Sequence, residues 1–145
     1  MRSFSIEDGN LNSATLITSR KDVYSDIDLS LDIKPSGDVY KKTDAAAVKQ
    51  AVKNLLLTNQ GEKPFNPSYG GSLQGLLFDL LDDDAEDEIE DLIIVSVENY
   101  EPRARVLEVD VRPQIDNNAV SVRITFQIIN TTETVVLSTT ITRLR

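Results

Sequence analysis

Glu101, Pro102 and Arg103 place a carboxylate, a rigid ring and a guanidinium on three consecutive positions. A guanidinium near a carboxylate can form a forked, charge-assisted pair, and a proline next to it fixes the backbone direction at low entropic cost. A second concentration of polar chemistry is the run DDDAEDEIED, Asp82–Asp91. Acids in this number raise two possibilities, a calcium loop and a paired-carboxylate hydrolase. An EF-hand loop requires glycine at its sixth position and glutamate at its twelfth; counted from Asp82 these are Asp87 and Ile93, and the pattern fails. Glycoside hydrolysis requires two acids at a defined separation with one pKa raised by burial, and an exposed run does not raise a pKa by desolvation. Carboxylates in the first turns of a helix are stabilised by its dipole, so the run reads as a solvated helix start, with a docking face for a basic partner as the alternative.

The rest of the composition narrows the chemistry further. The 145 residues contain no Cys and no His, which removes thiol nucleophiles, His-assisted triads, Cys/His zinc sites and disulfides. Neither a metal nor a cofactor is expected, and an enzyme would have few tools. The net charge of −9 is concentrated: residues 64–102 hold eleven acidic groups and no Lys or Arg. That field repels phosphate backbones and anionic membranes, so the expected partners are proteins, not nucleic acid or membrane. No apolar run approaches the roughly 20 residues of a membrane span, and MRSFSIEDGN at the start lacks the apolar stretch of a secretory signal. The chain therefore reads as soluble and made in a cytoplasm.

The elements that must position these residues follow from periodicity. Residues 1–22 are polar and weakly patterned and read as an N-terminal extension to a single domain over 23–145. Ile27, Leu29, Leu31 and Ile33 alternate with polar residues, which predicts a strand with one buried face, ended by the turn-forming KPSGD. Thr43 or Asp44 can cap a helix through Leu57, with Val48, Ala51, Val52, Leu55 and Leu56 on one face. After a Gly/Pro-rich segment, a short helix is predicted from Ser72 to about Leu81 with Leu73, Leu76, Leu77 and Leu80 on one face. A third, opening among Asp82–Asp84, carries Ala85, Ile89, Leu92, Ile93, Val97 and Tyr100 towards the core. Pro102 disfavours helical geometry at Glu101 and accounts for the end of that helix. By itself the triplet is open to two readings, a structural corner and an interaction site.

Three strand-like runs complete the chain. Leu107, Val109 and Val111 alternate with Glu108, Asp110 and Arg112; Val120, Val122, Ile124, Phe126 and Ile128 alternate in the next run; Thr134–Leu144 forms the last. Short connections favour antiparallel hairpins, so the expected class is α+β, a small C-terminal antiparallel sheet covered on one face by about three helices. In the last run Val136, Ser138, Thr140 and Thr142 form one face, and no charge occurs from Thr134 to Thr142. Such an edge is either covered by a neighbouring strand or offered to a partner's strand.

Three stretches, NYEPR at Asn99–Arg103, GEKPFNPSYGGSLQGLLFD at Gly61–Asp79 and VYSDIDLSL at Val23–Leu31, closely resemble the sheath-initiator, or baseplate wedge protein 25, family of contractile phage tails. Relatives of that family occur in type VI secretion baseplates and contractile bacteriocins. The resemblance implies a structural role: six copies in a baseplate, each contacting the core bundle of its wedge and offering a sheet on which the tail sheath protein begins to polymerise. It implies wedge contacts for Glu101, Pro102 and Arg103, and it matches Gly61, Pro64, Pro67 and Gly70 to a Gly/Pro-rich loop. Phe65 and Tyr69 are expected to pack that loop onto the core, with contact to a partner as the alternative. Two alternatives stay open: a lysozyme-like baseplate enzyme degrading peptidoglycan, for which no acid pair stands out, and the equivalent structural subunit of a type VI secretion or bacteriocin baseplate.

Overall fold

Ala47, Val48, Val52, Leu55 and Leu56 recur at one-, three- and four-residue steps and are all buried along α1 (Asp44–Leu57). Helix α3 (Ala85–Tyr100) repeats the logic with Ile89, Ile93 and Val97 every fourth residue. Its first turn carries Glu86, Asp87 and Glu88 towards solvent, where the helix dipole favours them. Between these helices lies a single turn, α2 (Leu73–Leu76), with Leu73 buried. The computed structural model describes residues 24–76, 85–114, 117, 119–129, 131 and 133–142. The extension expected over 1–22, and Leu77 and Leu80 of the predicted second helix, lie outside them.

The described chain divides into two compact units, Met1–Asp44 and Ala45–Arg145. In the second, β3 (Ala104–Gln114), β4 (Ala119–Ile128) and β5 (Thr134–Thr142) form an antiparallel sheet in the order β3-β4-β5. The central strand buries Val120, Val122, Ile124, Phe126 and Ile128 on one face, as its alternation predicts. Val109 and Val111 of β3 and Val135, Leu137 and Ile141 of β5 extend that face, and α3 packs against β3. Each fully buried side chain of this size contributes on the order of 1.5–3 kcal/mol relative to exposure. The result is the expected α+β class, a C-terminal antiparallel sheet with helices, and a strand pair stands where one N-terminal strand was expected.

One expectation fails inside the sheet. Leu107, predicted to share a face with Val109 and Val111, is 54% exposed. The register shows why: Val106 pairs with Phe126 and Glu108 with Thr125, so Leu107 is an extra residue in a β-bulge. Inward positions are Ala104 and Val106 before the bulge and Val109 and Val111 after it, because one inserted residue inverts the period of two.

The first unit departs further from expectation. Its strands are short, β1 (Ser25–Ile27) pairing with β2 (Lys41–Thr43), and the strand predicted through Ile33 stops after Ile27. Asp28 breaks it: its Oδ1 accepts the Ser30 N–H at 3.1 Å, its carbonyl accepts the Leu31 N–H at 3.1 Å, and Leu31 takes φ +56. Ile27, Leu29, Leu31 and Ile33 are exposed, not buried on one face. The KPSGD turn is present, closed by Lys34 N–H to Asp38 O at 2.7 Å and Gly37 N–H to Lys34 O at 2.9 Å.

Candidate functional site

The helix predicted to stop at Pro102 ends at Tyr100, and the backbone turns through Glu101, Pro102 and Arg103 into β3. The turn is hydrogen-bonded on both sides: Glu101 N–H donates to Val97 O at 2.8 Å and Ala104 N–H to Glu101 O at 3.0 Å. The Arg103 carbonyl accepts the Ile129 N–H at 3.0 Å, which ties the corner to the end of β4. Arg103 Nε donates to Glu101 Oε1 at 2.5 Å and a terminal nitrogen to Oε2 at 2.6 Å, a forked pair formed within the triplet itself. Glu101 is only 6% exposed, whereas the Arg103 side chain keeps 32% of its surface in solvent. The arrangement is thus a corner that holds a guanidinium in a fixed plane at the surface.

The Gly/Pro-rich loop is brought against this corner. Tyr69 meets Tyr100 edge to face at 5.4 Å, Tyr100 donates its hydroxyl proton to Ser68 O at 2.6 Å, and Lys63 Nζ lies 3.7 Å from the centre of the Tyr69 ring. Burial first, and the charge of Glu101 second, raise the Tyr69 phenol pKa above its ordinary value. Within the loop Gly61 N–H bonds Pro67 O at 2.8 Å, and Glu62 accepts both the backbone and side-chain N–H groups of Asn59 at 2.9 Å. These bonds, the backbone one foremost, lower the Glu62 pKa. Gly70 adopts φ +134, and a Cβ there would lie 2.5 Å from Thr58 O, so glycine is required by both backbone and space. Gly71 N–H then bonds Leu55 O and Thr58 O at 3.0 Å, closing the C-terminal end of α1.

Tyr69 packs as expected, but Phe65 does not. It is fully exposed at the loop surface with φ +65, a conformation uncommon for a bulky residue. The hydrogen bonds of the loop occupy its backbone and leave this ring with nothing to cover it among the described residues. Composition alone does not separate a loop aromatic that folds inward from one that is held out.

The sheet presents a second surface. Val136, Ser138, Thr140 and Thr142 are exposed on β5, which has one strand neighbour among the described residues. Strand β3 forms the other edge and differs in chemistry: it bears Arg105, Glu108, Asp110 and Arg112, the Leu107 bulge and Pro113. Charges, bulges and proline all discourage strand addition, and β5 has none of them from Thr134 to Thr142. The outer face between them is polar, with Arg112 paired to Asp110 at 3.0 Å and Gln114 Nε2 donating to Ser121 Oγ at 2.9 Å.

A feature the sequence did not single out lies beside the loop. Leu92 and Tyr100, expected in the core, are half-buried and line a groove of about 360 Å³ with Gln60, Gly70, Val95 and Ser96. The signal was present as a second helical stripe on α3, one step round from Ile89, Ile93 and Val97.

The sequence profile of the family described as Baseplate wedge protein gp25 matches residues 42–133, which include the loop, the corner and most of the sheet. The chain belongs to the baseplate wedge protein gp25 family. Baseplate wedge protein gp25 of Enterobacteria phage T4 is 32% identical over 108 residues, 74% of this chain and 82% of the phage protein. Among solved structures, a tail-lysozyme candidate from Geobacter sulfurreducens aligns with TM-score 0.61 at 18% identity, covering 68% of this chain and 89% of that one. A chain of the anti-feeding prophage baseplate aligns with TM-score 0.59 at 21% identity over 81% and 83% of the two chains. A chain of the postcontracted pyocin R2 baseplate gives 0.53 at 18% identity over 83% and 99%. These three likenesses establish a shared fold.

Proposed function

We propose that this gp25-family chain is a structural subunit of a contractile phage tail baseplate, one copy in each of six wedges, assembled in the host cytoplasm. It joins the wedge core to the tail sheath. The corner of Glu101, Pro102 and Arg103, with the adjoining loop of Gly61, Pro64, Phe65, Pro67 and Gly70, faces the other wedge proteins. The edge of β5, with Val136, Ser138, Thr140 and Thr142 beside it, receives a strand of the first sheath subunit. The observation that carries this reading is the contrast between the two sheet edges: β3 is guarded by charge, bulge and proline, and β5 is uncharged along its length.

Adjacent residues of a strand point their N–H groups in opposite directions, so one of Thr139 and Thr140 donates towards β4 and the other towards the open edge. Thr139→Pro and Thr140→Pro therefore separate folding from docking. One variant should melt markedly lower. The other should melt like the parent, enter baseplates, and leave them without extended sheath in electron micrographs; Val136→Lys should do the same. Normal numbers of sheaths on baseplates carrying these folded variants would remove β5 as the acceptor.

A hydrolytic reading is favoured only by the likeness to the Geobacter tail-lysozyme candidate. Against it, the one buried acid among the described residues, Glu101, has both carboxylate oxygens on Arg103. We expect no peptidoglycan turnover by the purified chain. Robust turnover abolished by replacing a single carboxylate, with the fold intact, would reverse that assignment.

A further inference from the structure

No residue from 24 to 44 is buried, although this hairpin is rich in large apolar side chains. Ile27, Leu29, Leu31 and Ile33 are between 49% and 72% exposed. Exposed Tyr40 joins them from the returning arm, where its carbonyl accepts the Asp28 N–H at 2.9 Å. Five of the eleven large hydrophobic side chains exposed among the described residues thus fall within the fourteen positions 27–40, too dense a cluster for the scattered apolar groups of an ordinary surface. A two-stranded hairpin in water is marginal unless a further element packs on its apolar side. Strand β1 has β2 as its one strand neighbour among the described residues, so its other edge is open as well.

The chain carries its own candidate for that position, the residues ahead of Tyr24. The backbone enters the hairpin at Tyr24, fixed there by Asp44 N–H to Tyr24 O at 2.8 Å and Tyr24 N–H to Asp44 Oδ1 at 3.3 Å. The 23 residues before it contain an uncharged run, Gly9–Ser19, in which Leu11, Leu16 and Ile17 stand among strand-favouring threonines. Extended, these eleven residues would reach about 36 Å, against at most about 20 Å for the six steps from Ile27 to Ile33. Arg20 and Lys21 follow the run, whereas residues 23–33 carry Asp26, Asp28 and Asp32 with no Lys or Arg, so charge favours the approach of one to the other. Run and hairpin fall in one compact unit, Met1–Asp44. We propose that residues 9–19 lie back over Ile27, Leu29, Leu31 and Ile33 and act as a built-in cover for the hairpin. Leu16 and Ile17 meet the apolar row. The covalent tether sets their local concentration on the order of millimolar, far above that of a separate chain, which selects this segment over a second copy or another protein. Its effect is to keep an apolar, open-edged hairpin from pairing with other copies. The cover is separate from the β5 edge and does not depend on the baseplate reading.

The test uses the full chain labelled with nitrogen-15. Thr15→Cys introduces a single thiol into a sequence without Cys, and a nitroxide attached there should broaden the amide resonances of Leu29, Leu31 and Ile33 more strongly than that of Thr43. Thr43 pairs with Ser25 beside the tether, so a tail with no seat on the row would broaden Thr43 the more. Leu16→Asp combined with Ile17→Asp should uncover the row. The expected signs are shifted amide resonances over residues 27–40, a severalfold rise in the fluorescence of the apolar-surface dye ANS, and self-association that grows with concentration. The resonances of β3, β4 and β5 should stay parental, which separates uncovering from unfolding. Ser3→Asp combined with Ser5→Asp adds the same charge outside the run and should change none of these readings. Broadening that decays from the tether, no response to the Leu16 and Ile17 pair, or an equal response to the Ser3 and Ser5 pair would each overturn the proposal. So would a parent chain that binds the dye as a monomer and loses it only on self-association or on entering baseplates, results that assign the row to a second copy or to a partner.

Discussion

Replacing Arg103 with alanine tests the corner at its guanidinium. In the parent, both oxygens of a carboxylate that is 6% exposed are engaged by one guanidinium at 2.5 and 2.6 Å. Truncation leaves that carboxylate charged, with only the longer Arg103 N–H contact at 3.4 Å among the bonds from residue 103. Breaking a fully buried ion pair from one side costs about 3–5 kcal/mol. Here the Arg103 side chain is 32% exposed, so water enters the vacated volume and solvates part of the stranded charge, which brings the expected loss to about 1–3 kcal/mol. That is smaller than the 5–15 kcal/mol typical of a domain, so the chain remains folded but is measurably less stable. The assay is urea unfolding of the isolated chain, reading the shift of midpoint at constant slope. Glu101→Gln combined with Arg103→Ala should recover part of the loss, since no charge is then left without a partner. An Arg103→Ala chain within about 0.5 kcal/mol of the parent would refute the reasoning. The guanidinium would then be held by something other than Glu101, and any assembly defect would report a partner contact alone.

Gly70→Ala should be more damaging, by about 2–4 kcal/mol, because a Cβ at φ +134 would sit 2.5 Å from a backbone oxygen that cannot swing aside; unfolding at the parental midpoint would contradict this. Phe65→Gly should stabilise the isolated chain by about 0.5–1 kcal/mol, since it relieves φ +65 and removes no packing, and calorimetry would detect the rise in Tm. The same variant should enter baseplates less well if the ring is an anchor, and unchanged incorporation would dismiss that role. The raised Tyr69 pKa means that the folded chain holds the phenol proton more tightly than the unfolded chain does. Its stabilising contribution is complete below the ordinary pKa of 10.0 and is lost as pH rises through the folded value. Stability should therefore fall more steeply above about pH 10 in the parent than in Tyr69→Phe, and parallel declines would exclude the effect.

The regular elements were legible because their spacing is enforced by burial. Val48, Val52, Leu55 and Leu56 on α1 and the five alternating residues of β4 read directly as helix and strand, since each period maps one face onto the core. The failures are places where a local event overrides period. Asp28 and Leu31 turn the chain in the midst of an alternating apolar row, and Leu107 inserts one residue where the pattern continues unbroken on paper. The corner was visible as a triplet, but two neighbouring charges in sequence do not state whether they bond each other or a partner; the burial of Glu101 supplies that. The groove was hidden because Leu92 and Tyr100 fit the core stripe in every respect except depth.

The pairing of β5 with β4 has a mechanical consequence. Nine consecutive residue pairs, from Gln127 with Thr134 to Ala119 with Thr142, align the two strands along their whole shared length. Hydrogen bonds of an antiparallel ladder lie perpendicular to the strands, so a pull along β5 strains them all at once, whereas a pull across it peels them one after another. On the proposed role, a sheath strand added to the open edge of β5 that pulls along the strand would load this ladder in the first of these ways. The ladder would then yield in shear, its strongest mode, and the attachment would survive a load that opens a hairpin from its end.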